Sequence, residues 1–315
     1  MSRPGRPRVR ASAAALALLV ACASGCSLLT GSDVPTTEAT SGSAGAFSLP
    51  SGPLDYVALG DSYTAGLQLA VQRPEDPACG RSTRSYPSLL ASALDVASFT
   101  DASCTGAATT DFAAPQATGG TLVAPQGQAL GPGTDLVTLS LGGNDYDLFG
   151  KLVGTCVTVA QAEMSGSPCR DLYDGSEGSG GSGGDDLLAV AARIEEGVGR
   201  VLDGIAQVSP DARVVVVGYP LFVDGRTCAA LGFTQADARW ARDVFATLDR
   251  SLASAAQDAG AAFLDTQELS QGHDVCGEDP WFAGYQPTPS LPSAWHPGAD
   301  YPRAVAAALE RALTR

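Results

Sequence analysis

Short apolar runs alternate along this chain with longer segments of helical period. Tyr56–Leu59, Leu136–Leu141, Arg213–Gly218 and Ala261–Leu264 read as strands, with a weaker one at Val96–Thr100. Val214 to Val217 is β-branched throughout, which suits a strand covered on both faces of a parallel sheet. From Asp186 onward, Leu187, Val190, Ala191, Ile194, Val198, Val201, Leu202 and Ile205 recur at three- and four-residue spacing, and Pro210 follows the predicted end of that helix. Thr234 can cap a second helix that lines up Trp240, Val244, Leu248 and Leu252 and stops at Gly260. A third starts near Asp300 and carries Ala304, Val305, Ala308 and Leu309. Strand–helix alternation of this kind predicts a three-layer α/β/α sandwich with right-handed crossovers and a flavodoxin-like parallel sheet of about five strands. In such sheets, functional residues gather on loops at the carboxyl ends of strands.

The ends and one interior tract depart from this pattern. Residues 1–21 carry Arg3, Arg6, Arg8 and Arg10 ahead of the apolar stretch Ala13–Ala21, a leader whose apolar part is too short to remain as a membrane span. Leu18-Leu19-Val20-Ala21-Cys22 resembles a bacterial lipobox, making Cys22 the lipidation candidate. Cys26 is the alternative, and simple secretion without lipid is a third reading. Residues 22–52, rich in Ser, Thr, Gly, Ala and Pro, read as a flexible tether, which leaves 53–315 as one domain. From Gly175 to Gly184 the chain is Gly, Ser and Glu only, so the span from about 150 to 185 is expected to be a surface excursion.

Charge excludes some functions. The formal net charge is −15, and loss of the four leader arginines takes it to −19. Nucleic acid is thereby excluded as a partner, and contact with a membrane is expected only through an N-terminal lipid anchor. A monomer is expected. Six cysteines lie in the body, at positions 79, 104, 156, 169, 228 and 276; an even count in an exported chain argues for three disulfides. No CxxC pair occurs and only two histidines exist, so no metal site and no cofactor are expected.

Three short motifs suggest chemistry. Gly60-Asp61-Ser62-Tyr63 follows the first strand directly. A nucleophilic serine needs such a sharp strand-to-helix turn, where its hydroxyl is exposed and backbone N–H groups converge. Leu141-Gly142-Gly143-Asn144-Asp145 follows the second long strand, and the Asn144 carboxamide is a neutral N–H donor suited to an oxyanion. Ala294-Trp295-His296-Pro297 stands just before the last helix. His296 is the better base for Ser62; His273, in Gly272-His273-Asp274-Val275-Cys276, reads as structural.

With these motifs in this order, residues 54 to 315 resemble the SGNH hydrolase superfamily, also called GDSL lipases and esterases. Tyr56–Tyr63 is similar to secreted actinobacterial members. The resemblance implies that Ser62 is the nucleophile and His296 the base. It further implies that Gly106, in Ser103-Cys104-Thr105-Gly106-Ala107, joins Ser62 and Asn144 in the oxyanion hole. It also implies the pairings Cys79–Cys104, Cys156–Cys169 and Cys228–Cys276. The family commonly has aspartate three residues before the histidine, where this chain has Ser293. The expectation is therefore a Ser–His dyad with the main-chain carbonyl of Ser293, or its neighbour Ala294, holding the imidazole; Asp300 and Asp279 are the rival acids. The activity implied is exported hydrolysis of small-molecule or lipid esters. A carbohydrate O-deacetylase and a non-catalytic surface-binding lipoprotein are the alternatives. With a neutral imidazole as base, the rate should fall as pH drops through roughly 6–7.

Overall fold

In the computed structural model, residues 49, 52–74, 77–175 and 186–314 are described. The leader, nearly all of the tether with Cys22 and Cys26, and the tract 176–184 lie outside the described residues. In chain order the elements are β1 (Asp55–Gly60), α1 (Ser62–Ala65), α2 (Tyr86–Ala93), β2 (Ser98–Asp101), β3 (Gln116–Thr118), β4 (Thr121–Val123) and β5 (Leu136–Ser140). These are followed by α3 (Cys156–Ala162), α4 (Pro168–Tyr173), α5 (Leu187–Val208), β6 (Arg213–Val217), α6 (Gln235–Asp258), β7 (Ala262–Leu264), α7 (Thr266–Leu269) and α8 (Asp300–Leu313).

Five strands form one parallel sheet in the order β2-β1-β5-β6-β7, and β3 and β4 form a separate antiparallel hairpin. Renumbered within the sheet, the order is 2-1-3-4-5, the flavodoxin-like arrangement, in which ligands bind where the winding direction reverses. Here that point lies between β1 and β5, at their carboxyl ends. β5 is buried along its whole length, as are five of the six positions of β1, which explains their continuous apolar runs. Burying each Val or Leu of these strands contributes roughly 1.5–3 kcal/mol.

Helices flank the sheet, α5 along α6 and α2 along α8. α5 starts where Asp186 accepts from the N–H groups of Leu188 and Ala189 at 2.9 and 3.3 Å. α6 starts at Thr234, whose hydroxyl accepts from Asp237 N at 3.1 Å, and the chain leaves it through Gly260 at φ +68°. The segment expected to be a surface excursion is partly core. Leu152, Cys156, Val157, Ala160 and Cys169 are buried, because α4 docks on α6 through the Asp237 carboxylate, which accepts from the N–H groups of Cys169 and Arg170 at 3.3 and 3.0 Å. The pairings Cys79–Cys104, Cys156–Cys169 and Cys228–Cys276 are all formed.

Candidate active site

β1 delivers Ser62 to the first position of α1. Asp61 caps that short helix, its Oδ1 accepting from Tyr63 N at 2.9 Å. The turn is tight: a Cβ on Gly60 would lie 2.1 Å from Thr64 Oγ1 and 2.9 Å from the Ser140 carbonyl, so glycine is required there. Gln126 clamps the same glycine from above, accepting from its N–H at 2.8 Å and donating to its carbonyl at 2.9 Å.

His296 Nε2 lies 2.8 Å from Ser62 Oγ, across 234 positions of sequence. On the other side of the ring, Nδ1 is 2.7 Å from the Ala294 carbonyl. A carbonyl only accepts, so Nδ1 carries the hydrogen and, in the neutral ring, Nε2 holds the lone pair that accepts from the serine hydroxyl. The orienting carbonyl is therefore that of Ala294 rather than Ser293. The Ser293 carbonyl is engaged by His296 N at 3.2 Å in the turn, which leaves only the Ser293 hydroxyl near Nδ1, at 3.3 Å. Neither rival acid reaches the ring: Asp300 pairs with Arg303, and the Asp279 carboxylate lies 3.6 Å from His273 Nδ1. His273 also stacks on Trp281 at 3.9 Å, consistent with a structural role.

Packing holds the histidine loop. Tyr63 stacks on His296 with ring centroids 5.3 Å apart, and its hydroxyl donates to the Trp295 carbonyl. Trp295 has φ +60°, an unusual conformation for a bulky residue, and its indole is buried against Phe233. Burial lowers the His296 pKa below its ordinary 6.5, and the Ala294 hydrogen bond opposes part of that.

The other candidate donors converge here. Neither Ser62 N nor Gly106 N has a protein acceptor among the described residues. Gly106 has φ +78°, which suits glycine, and the Cys79–Cys104 bridge stands two residues before it. Asn144 Nδ2 donates to the Ala107 carbonyl at 2.9 Å and lies 3.4 Å from Asp61 Oδ2. Its loop needs both preceding glycines: Gly142 has φ +124°, and a Cβ on Gly143 would overlap the Phe149 ring at 2.3 Å. Asp145 ties this loop to the Gly106 segment by accepting from Thr109 N and Oγ1 at 2.8 and 2.5 Å.

One residue of this network, Tyr219, belongs to none of the sequence motifs. Tyr219, just past β6, donates its hydroxyl to Asp61 Oδ2 at 2.6 Å and accepts from Gly143 N at 2.9 Å. It thus joins the serine turn to the asparagine loop. Asp61 itself is buried, and loss of hydration raises its carboxyl to about 7 despite the Tyr219 hydrogen bond. It stands in the Gly60–Tyr63 motif of the sequence, as the cap of the first helical turn. Among the described residues, no three His, Cys, Asp or Glu side chains gather as a metal would require.

The parallel sheet, the serine turn at its switch point and the histidine and asparagine loops define a hydrolase site of the GDSL type. Residues 58–304 match the GDSL-like Lipase/Acylhydrolase family, and the chain belongs to it. It is a carboxylic ester hydrolase. It is 36% identical over 269 residues to Lipase 2 of Streptomyces coelicolor, covering 82% of this chain and 86% of that one. With a lipase of Streptomyces rimosus it shares 29% identity over 247 residues, 78% of this chain and 81% of the other. Among solved structures, phospholipase A1 from Streptomyces albidoflavus aligns with a TM-score of 0.63 at 26% identity, over 82% of this chain and 99% of that one.

Proposed function

We propose that the chain is an exported lipase or esterase that cleaves carboxylic esters through an acyl-enzyme on Ser62, with His296 as the base. The observation that carries this reading is the 2.8 Å contact between Ser62 Oγ and His296 Nε2, with Nδ1–H fixed on the Ala294 carbonyl. His296 Nε2 takes the hydroxyl proton as Oγ attacks the ester carbonyl carbon. The tetrahedral oxyanion is held by Ser62 N–H, Gly106 N–H and the second N–H of Asn144. The first Asn144 N–H is spent on Ala107 and keeps the carboxamide plane fixed, whereas the 3.4 Å approach to Asp61 is long enough to yield. His296 then returns its proton to the leaving alkoxide, and the alcohol departs. Water, deprotonated by the same nitrogen, attacks the acyl carbon, and that proton passes from His296 to Ser62 Oγ as the acid leaves.

Without an acid behind the ring, the carbonyl dipole of Ala294 must stabilise imidazolium alone, and burial works against that charge. Three disulfides and the lipase relatives support export, with Cys22 as the proposed lipid anchor. The test is turnover of p-nitrophenyl acetate, octanoate and palmitate and of acetylated xylan by the wild type and by Ser62→Ala. Turnover of the p-nitrophenyl esters that vanishes with Ser62 is expected. Activity surviving Ser62→Ala, or confined to xylan, would overturn the reading.

A further inference from the structure

Two successive residues just past Asn144 lie in the left-handed region of backbone space, Tyr146 at φ +55° and Asp147 at φ +60°. Aspartate tolerates that region, but a bulky tyrosine there is a genuine outlier. Such strain persists only where the surrounding structure enforces it. The turn it makes reverses the chain onto the asparagine loop. Asp147 N donates to the Asn144 carbonyl at 3.2 Å, and Phe149 N donates to the Gly143 carbonyl at 3.0 Å.

Burial in the core does not enforce this conformation, because Tyr146 is 44% exposed. Two cations grip it instead. Lys151 Nζ donates to the Tyr146 carbonyl at 2.9 Å, and the Arg193 guanidinium of α5 covers the ring, 3.9 Å from its centroid. The same stretch of α5 backs the rest of the loop. A Cβ on Gly142 would lie 2.7 Å from Ile194 Cγ2, and one on Gly197 would lie 2.8 Å from Thr109 Oγ1 and 3.1 Å from Asp145 Oδ2. Gly197 stands one turn on from Arg193, on the same face of the helix. One turn of α5 therefore seats Asp145, and the turn before it holds Tyr146.

We propose that Arg193 is a positioning residue for ester hydrolysis: by clamping the Tyr146 ring it holds the strained turn that sets where the Asn144 carboxamide meets the oxyanion. This rests on the ester-hydrolase reading of Ser62 and on the part Asn144 takes in it. The Ala107 carbonyl fixes the carboxamide at 2.9 Å, and the turn fixes the backbone that carries it. Without the clamp, strain favours relaxation of Tyr146 to negative φ, and the share of molecules with Asn144 in place falls. Arg193 acts through the turn and not on the substrate. Asn144 meets an oxygen charge that exists only in the transition state, so the loss falls on kcat and leaves KM unchanged.

The test is steady-state kinetics of the full chain on p-nitrophenyl octanoate, with urea titration of each variant to establish folding. Arg193→Met keeps the aliphatic stem and removes the cation; for a pair at the surface, kcat should fall about three- to fivefold with KM within about 1.5-fold of wild type. Arg193→Lys should retain at least about half of the wild-type kcat, because an ammonium also binds a ring face. In the Asn144→Ala background, Arg193→Met should change kcat by less than about 1.5-fold, because the group it positions is gone. The proposal is overturned if Arg193→Met turns over as the wild type does, if its loss appears in KM, if lysine does not restore kcat, or if the loss is as large without Asn144. Turnover persisting in Ser62→Ala is a separate outcome, which would bring down the hydrolase reading and this proposal with it.

Discussion

Removing one oxygen from Tyr219 tests the network beneath the oxyanion site. Tyr219→Phe keeps the ring, which packs edge-on against Tyr63 and Phe149 at 5.6 and 4.9 Å, and deletes only the hydroxyl between Asp61 and Gly143 N. A hydrogen bond to a charged group contributes about 1.5–3 kcal/mol, and a buried N–H left without an acceptor costs about 1–3 kcal/mol. The two losses overlap in one site, so about 2–4 kcal/mol of unfolding free energy should be lost, measured by urea titration. Catalysis should suffer by a second route. Without the tyrosine, Asp61 Oδ2 has only the Asn144 carboxamide, now 3.4 Å away, to draw toward itself. That pulls an N–H off the oxyanion. Losing such a donor outright costs about 3–4 kcal/mol, and partial withdrawal should lower kcat about tenfold, with KM nearly constant because the ground state does not use it. A variant with unchanged urea midpoint and kcat within about twofold of wild type would refute the reasoning.

Other perturbations separate the remaining roles. Asn144→Ala should lower kcat about 10²–10³-fold in a folded protein, checked by steady-state kinetics beside circular dichroism. Because burial depresses the His296 pKa, the acid limb of kcat/KM should have its midpoint below 6.5; a midpoint at or above 6.5 would contradict the assigned environment. Asp300→Asn and Asp279→Asn should retain activity within about twofold, since neither carboxylate meets His296; a loss of about 10²-fold in either would restore a triad. Burial raises the carboxyls of Asp61 and Asp249 from 3.8 to about 7 and about 8, so the native state holds protons that the unfolded chain releases. Stability should therefore fall by about 2–3 kcal/mol from about pH 6.5 to about 8.5. A flat or rising stability curve over that interval would refute it.

The elements that the sequence announces are those whose apolar period is undiluted. β1, β5 and β6 are nearly continuous runs because both faces are covered. α5 and α6 carry their own caps in Asp186 and Thr234. Less legible are short elements stabilised by distant partners. α3 and α4 sit beside a glycine-rich tract, and their burial depends on Asp237, nearly seventy positions on, so local composition suggested a solvated loop. The site divides the same way. Ser62, Asn144 and His296 stand in recognisable local turns. Tyr219, Gln126 and the Ala294 carbonyl act through tertiary contacts, and nothing beside them in the chain marks their partners. For the imidazole, sequence distinguished an absent aspartate from a present one. Which carbonyl replaced it depended on turn geometry, because the Ser293 carbonyl is already taken by the His296 main chain.

Covalent capture of the nucleophile tests the central claim most directly. The full chain is treated with a fluorophosphonate and the adduct located by peptide mass spectrometry, in the wild type and in His296→Ala. A single phosphonyl group on Ser62 is expected, formed at least about 10²-fold more slowly when the imidazole is gone. An adduct at another residue, or equal labelling rates with and without His296, would contradict the serine–histidine account.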